Sequence, residues 1–179
     1  MRRVIVILMF VSFFCGAVIC SGQQKGASKI LILYHTKTGK TKVACEALKK
    51  ELGADMIEIR ALEGKIEPEK PDLAAYPYLI IGSPIWASKL CAPIRTLIEK
   101  NRLEGKKVVI FTTANVPSKE YEEKNKALVT NAGGQVVGFY CVASKDKVGS
   151  EMTDRPDAKI TEDALRIAPE IKKAFSLLP

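Results

Sequence analysis

A chain of 179 residues with 47% hydrophobic and 27% charged side chains has room for one folded domain and a short appendage. Its 12 glycines and 9 prolines exclude a collagen-like or low-complexity protein, and one His with five scattered Cys excludes a zinc ribbon or a disulfide scaffold. The net charge of +8 comes from lysine-rich stretches such as Lys49-Lys50 and Lys172-Lys173, with no interleaved aromatics, so no nucleic-acid footprint is expected.

In chain order, Met1-Arg2-Arg3 precedes an uncharged run from Val4 to Cys20, after which the sequence turns polar at Ser21. A basic start, an apolar stretch and small residues at its end are the marks of a secretory signal over residues 1–22, with cleavage after Gly22. The apolar run is also just long enough for an uncleaved anchor, which would give membrane association through residues 4–20. An exported (periplasmic or extracellular) or membrane-anchored protein is expected. The alternative is the cytoplasmic face of the membrane, because lysines beyond residue 24 outnumber Arg2 and Arg3. Residues 23–28 read as a linker and 29–179 as the folded domain. Without residues 1–22 the chain loses two arginines and no acid, leaving +6, and keeps Cys45, Cys91 and Cys141. No CxxC spacing joins those three, and small buried hydrophobes are expected there.

Within the domain, apolar runs alternate with helical stripes. Lys29 to Tyr34 is too short for a helix and reads as a buried strand. Lys40 to Leu52 carries Val43, Ala44, Ala47 and Leu48 at helical spacing and stops at Gly53. Asp55 to Arg60 alternates as a strand, and Glu63 to Pro71 is a charged loop. Tyr78 to Gly82 is a second apolar strand, with Ser83-Pro84 turning the chain. Lys89 to Arg102 is a helix, Lys106 to Thr112 a strand, Lys119 to Asn131 a helix and Gln135 to Val142 a strand. Lys145 to Lys159 is a polar loop, and Thr161 N-caps a closing helix to Leu178 that contains Pro169. Five strands joined by helical crossovers predict a three-layer, doubly wound α/β fold around a five-stranded parallel sheet.

Such sheets bind ligands at the carboxyl ends of their strands, which singles out three loops. Thr36-Lys37-Thr38-Gly39-Lys40-Thr41 brings hydroxyls, a glycine and two lysines to a helix start, where free N–H groups favour a phosphate. The triphosphatase P-loop would need a glycine where Tyr34 stands, so that motif is excluded. Ser83-Pro84-Ile85-Trp86-Ala87 holds the only Trp of the chain, a candidate for stacking on a flat ring. Thr112-Thr113-Ala114-Asn115 offers small polar groups and backbone N–H and C=O. A phosphate at one end, a flat ring and a polar edge describe a mononucleotide with a large heterocycle.

These motifs carry a family resemblance. Ile32 to Thr41 is similar to the phosphate loop of the flavodoxin family, a [ST]-x-T-G-x-T pattern after an apolar strand. Ile80 to Trp86 resembles its ring-binding loop, Ala92 to Glu99 the helix that follows, and Gly105 to Thr113 its next strand and loop. Arg155-Pro-Asp157 and the final helix are similar to the C-terminal end of one branch. The resemblance implies FMN as cofactor. Thr36, Thr38, Gly39, Lys40 and Thr41 would then hold the phosphate with Lys37 arching over it, and Ser83 to Ala87 would line one ring face. Thr112 to Asn115 would meet the polar edge or the other face. An aromatic is usual in that last loop and none stands before Tyr121, so an open ring face is expected.

The resemblance implies an electron carrier that passes electrons between redox partner proteins. A basic chain favours partners with an acidic docking surface. The alternative is an FMN-dependent reductase taking hydride from a nicotinamide and serving a quinone or other small acceptor. Positive charge near the flavin also favours its negatively charged reduced form and so a less negative potential. His35, directly after a buried strand, reads as a packing residue.

Overall fold

The computed structural model describes residues 29–177; the expected signal or anchor (1–22) and linker (23–28) lie outside the described residues. The first half of the domain runs β1 (Ile30–Tyr34), α1 (Lys40–Leu52), β2 (Asp55–Glu58), β3 (Arg60–Leu62), β4 (Lys65–Glu67), β5 (Tyr78–Trp86) and β6 (Lys89–Leu90). The second half runs α2 (Ala92–Lys100), β7 (Lys107–Ala114), α3 (Glu120–Asn131), β8 (Gln135–Ala143), β9 (Lys145–Val148), β10 (Glu151–Asp154) and α4 (Asp157–Ala174).

Five strands pair in parallel in the order β2-β1-β5-β7-β8, so the sheet is the doubly wound one the sequence predicts. Side chains alternate across it with the period of two that strands impose. Ile30, Ile32, Ile80, Val109 and Phe111 face one layer, where Ala44, Cys45 and Leu48 of α1 meet Ile160, Ala164, Ala168 and Ile171 of α4. Leu31, Leu33, Leu79, Ile81, Val108 and Ile110 face the other, under Ile94, Leu97 and Ile98 of α2 and Val129 of α3. Each such side chain taken fully from water contributes about 1.5–3 kcal/mol, which is why near-continuous apolar strands select this sandwich. The thiols divide likewise: Cys45 lies in the first layer and Cys91 in the second. The Cys141 thiol is only partly covered.

Strand order reverses beside β1, where β2 leaves to one side and β5 to the other. The two carboxyl ends therefore diverge into a crevice. The packing there is close. A Cβ on Gly82 would stand 2.6 Å from the Cys45 Sγ and 2.8 Å from the Tyr34 Cβ, so only glycine lets α1 settle on this end of the sheet.

The structure corrects several boundaries. Ser83-Pro84 does not turn the chain: β5 continues to Trp86 and folds back through Ala87-Ser88 to pair with β6, so α2 begins at Ala92 and not Lys89. The expected loop from Glu63 to Pro71 contains β4, which pairs back on β3 just before it to form a hairpin. Lys145 to Lys159 is not a loop but the antiparallel hairpin β9–β10 followed by the first turn of α4. Helix α4 accordingly starts at Asp157, with Pro156 rather than Thr161 at its N-cap, and runs through Pro169. Pro156 has the fixed φ that suits a helix entry.

Candidate functional site

The three loops meet around one cavity of about 500 Å³ at the switch point, within the range of small-molecule sites. From the first loop it is lined by Lys37, Thr38, Lys40 and Thr41, from the second by Pro84 to Ala87, and from the third by Thr113 to Asn115. Thr36, Gly39, Ser83 and Thr112 are not among its lining residues, and each has another task.

Thr36 Oγ1 accepts the Gly39 N–H at 3.0 Å and closes the first loop behind the cavity. Gly39 is the N-cap of α1 at φ 85°, a left-handed angle that costs other residues about 1–2 kcal/mol. No side chain caps this helix, so the N–H groups of its first turn keep their hydrogen-bonding capacity and the positive end of the helix dipole. Thr41, 2% exposed, bonds its hydroxyl to that of Thr113 at 2.8 Å and ties the first loop to the third beneath the cavity.

Strand parity explains the other two. Ser83 falls on the same face as Leu79 and Ile81, where its hydroxyl accepts the Cys91 N–H at 3.0 Å and lies 2.8 Å from the Pro84 carbonyl oxygen. Thr112 falls on the face of Val108 and Ile110 and donates to the Tyr140 carbonyl at 3.2 Å. Both are fully buried braces for the strands that carry the loops.

The lysines differ in what they can do. Lys40 spends its ammonium on Asp157 Oδ1 and the Arg155 carbonyl, each at 2.8 Å, which locks α1 to the start of α4. Lys37 has no carboxylate partner among the described residues; its Nζ sits 5.9 Å from the centre of the Trp86 ring. The indole is 40% exposed and meets the His35 ring edge-on at 6.1 Å. His35 Nδ1 lies 2.7 Å from the Ile59 carbonyl oxygen, which fixes the ring as a packing partner of Trp86.

Three lining residues were not singled out from sequence as part of the site: Ser88, Tyr121 and Ser144. Ser88 belongs to the hidden turn of the β5–β6 hairpin, and Ser144 follows the carboxyl end of β8. Tyr121 is the informative one. It stands in the first turn of α3, its hydroxyl donates to the Val116 carbonyl at 3.2 Å, and it gives the cavity a second aromatic wall. The third loop itself, Thr112 to Asn115, carries no aromatic, as its sequence shows. An aromatic in the first turn of the helix that follows a binding loop was the available signal.

Electrostatics around the cleft come from fixed charges. The Lys159 ammonium, with the Arg155 guanidinium behind it, holds the Asp146 carboxyl below the usual carboxylate range. Burial, with the Glu58 carboxylate adding to it, pushes the Tyr34 phenol up to about 12, so it stays protonated beneath the cleft. Among the described residues no group of His, Cys, Asp and Glu could hold a metal ion, and no helix is long and apolar enough to cross a membrane.

Sheet order and cleft define a doubly wound α/β protein with a single-nucleotide-sized cavity at its switch point. A family model for the flavodoxin domain matches residues 31–145, more than half of the chain. A flavodoxin of Synechococcus elongatus is 28% identical over 128 residues, 66% of this chain and 74% of that protein. The structure of oxidised flavodoxin 2 from Bacillus cereus is similar with a TM-score of 0.56 at 20% identity, over 81% of this chain and 98% of that one. A flavoprotein of Lactobacillus acidophilus solved in complex with FMN gives a TM-score of 0.54 at 22% identity, over 64% of this chain and 93% of that one. The chain belongs to the flavodoxin family.

Proposed function

We propose that this protein holds FMN non-covalently in the switch-point cleft and carries electrons between protein partners. The observation that carries the reading is the uncapped start of α1: free N–H groups beside Gly39 open into a cavity that also has an indole wall. That donor set suits a phosphate joined to a flat ring. The backbone of Lys40 and Thr41, the Thr38 hydroxyl and the mobile charge of Lys37 would hold the phosphate. Trp86 and Tyr121 would flank the ring, and the polar groups from Thr113 to Asn115 with Ser144 would meet its edge. Once bound, FMN supplies the redox chemistry; the chain's part is to hold it, exclude water from its faces and present its exposed edge.

The half-exposed Trp86 marks the side from which electrons reach the ring. Lys37 and Lys89, both exposed beside it, enter no ion pair among the described residues, which favours a partner with an acidic docking surface. From Met1-Arg2-Arg3 and the apolar residues 4–20 we further propose that the domain is exported or anchored; fractionation and N-terminal sequencing of mature protein test this.

The decisive measurement is the absorption spectrum of native protein with mass identification of what it releases, followed by anaerobic mixing with NAD(P)H. A yellow protein that is not bleached by the nicotinamide supports the carrier. Rapid bleaching turns the reading to a reductase, and a colourless protein that refuses micromolar FMN overturns both.

A further inference from the structure

Asn125 is a polar side chain on α3 that is only 2% exposed and has no place in the cavity lining. Its amide makes three bonds. Oδ1 accepts the Leu90 N–H at 2.8 Å, and Nδ2 donates to the Ser88 carbonyl at 3.2 Å and to the Tyr121 carbonyl at 2.6 Å. Ser88 and Leu90 sit on either side of Lys89, at the returning end of the β5–β6 hairpin. Tyr121 lies one helical turn before Asn125. A single buried amide thus joins the hairpin that carries Trp86 to the helix that carries Tyr121.

The hairpin needs that support. Trp86 pairs with Lys89 across a two-residue turn, and both turn residues, Ala87 at φ 48° and Ser88 at φ 63°, are left-handed. Such turns are normally built from Asn-Gly, because side chains other than Asn and Asp tolerate these angles poorly. Neither Ala87 nor Ser88 makes the turn by its own preference, so the conformation is imposed from outside. The Asn125 bonds to the Ser88 carbonyl and the Leu90 N–H bracket the turn's second half.

We propose that Asn125 is a positioning residue that sets the gap between the Trp86 and Tyr121 walls, and through that gap the fit of the flavin ring. The inference rests on the FMN reading above and deepens it. Because the phosphate-binding turn of α1 is separate from this bracket, loss of Asn125 weakens ring binding and leaves phosphate recognition intact.

The test titrates FMN and riboflavin into wild-type protein and Asn125→Ala, and records the nanosecond anisotropy of Trp86, the only Trp of the chain. Both flavins are expected to lose affinity by the same factor, about tenfold, while the indole of the variant moves more freely. Asn125→Asp, which keeps the acceptor for Leu90 but not the amide donors, should lie between the two and serves if the alanine variant does not fold. Adding Ala87→Asn with Ser88→Gly, a pair that forms the turn unaided, should restore most of the lost affinity. Flavin affinities within twofold of wild type in the Asn125 variants overturn the inference. So does a loss with no change in indole motion and no rescue by the turn pair. If wild-type protein binds neither flavin, the FMN reading falls and this inference with it.

Discussion

Gly39 shows how one residue shapes chemistry. Its Cβ position is empty space, so alanine there meets no clash, and the whole penalty is the left-handed backbone at φ 85°. Relaxing that angle would re-aim the first N–H groups of α1. Gly39→Ala is therefore expected to lower FMN affinity about tenfold and to leave riboflavin, which has no phosphate, nearly unchanged. Titration by flavin fluorescence checks this; an equal loss for both would remove the phosphate from this turn. At this scale the sequence already displays the loops that meet at the cavity. A hydroxyl–glycine loop is on its own an ordinary turn, and it was the combination with a lone Trp in the next loop that stood out. The orientation of Ser83 and Thr112 was not legible, because which way a polar residue points depends on whether the strand has already ended. Both strands run on, and parity turns the two hydroxyls into the layer beneath α2 and α3.

At the level of elements, the apolar strands β1, β5 and β7 were legible because burial on both faces leaves no other composition, and the half-buried edge strand β8 was legible from its apolar run after a helix. The β9–β10 hairpin was not. Its residues Lys145 to Asp154 are polar on both sides and show no alternation, and what holds it lies elsewhere in the chain. Arg155 donates to Asp146 at 2.8 Å and to Asp163 at 2.7 Å, Lys159 reaches Asp146 at 2.9 Å, and the Arg155 N–H bonds to the Ser144 carbonyl at 3.0 Å. These contacts rivet the hairpin to α4 and brace Ser144 at the cleft. Arg155→Ala should lower the Tm measurably at neutral pH, since it leaves the Asp146 and Asp163 carboxylates with fewer partners. The pH dependence has a definite sign. A carboxyl held below its ordinary range contributes stability above that range and loses it as pH falls through the folded value. The difference in Tm between wild-type protein and Arg155→Ala is thus expected to shrink below about pH 4. A difference that stays constant to pH 3 would show that Asp146 is not part of the rivet.

For the molecule as a whole, the relevant quantity is its summed charge. A net charge of +8, or +6 without residues 1–22, draws acidic surfaces, and the exposed Lys37 and Lys89 place part of that field at the mouth of the cleft. Electron transfer to an acidic redox protein, followed by stopped flow, should slow at least several-fold between about 20 and 200 mM salt, as screening shortens the reach of these charges. A rate indifferent to salt would mean that docking does not use the basic side. This feature was legible in composition but its location was not, because the lysines nearest the cleft are far apart in sequence and only the β5–β6 hairpin brings Lys89 beside Trp86.

The division of the thiols between two layers has a consequence for oxidation of the chain. A disulfide needs Cα atoms within about 7 Å and side chains aimed at each other, and the β-sheet stands between Cys45 and Cys91. Burial also pushes both thiols up, so neither offers a thiolate to an oxidant. Once folded, this pair cannot form a disulfide with each other without opening the sheet. An oxidant can therefore join these two positions only after the sheet and its helices have come apart.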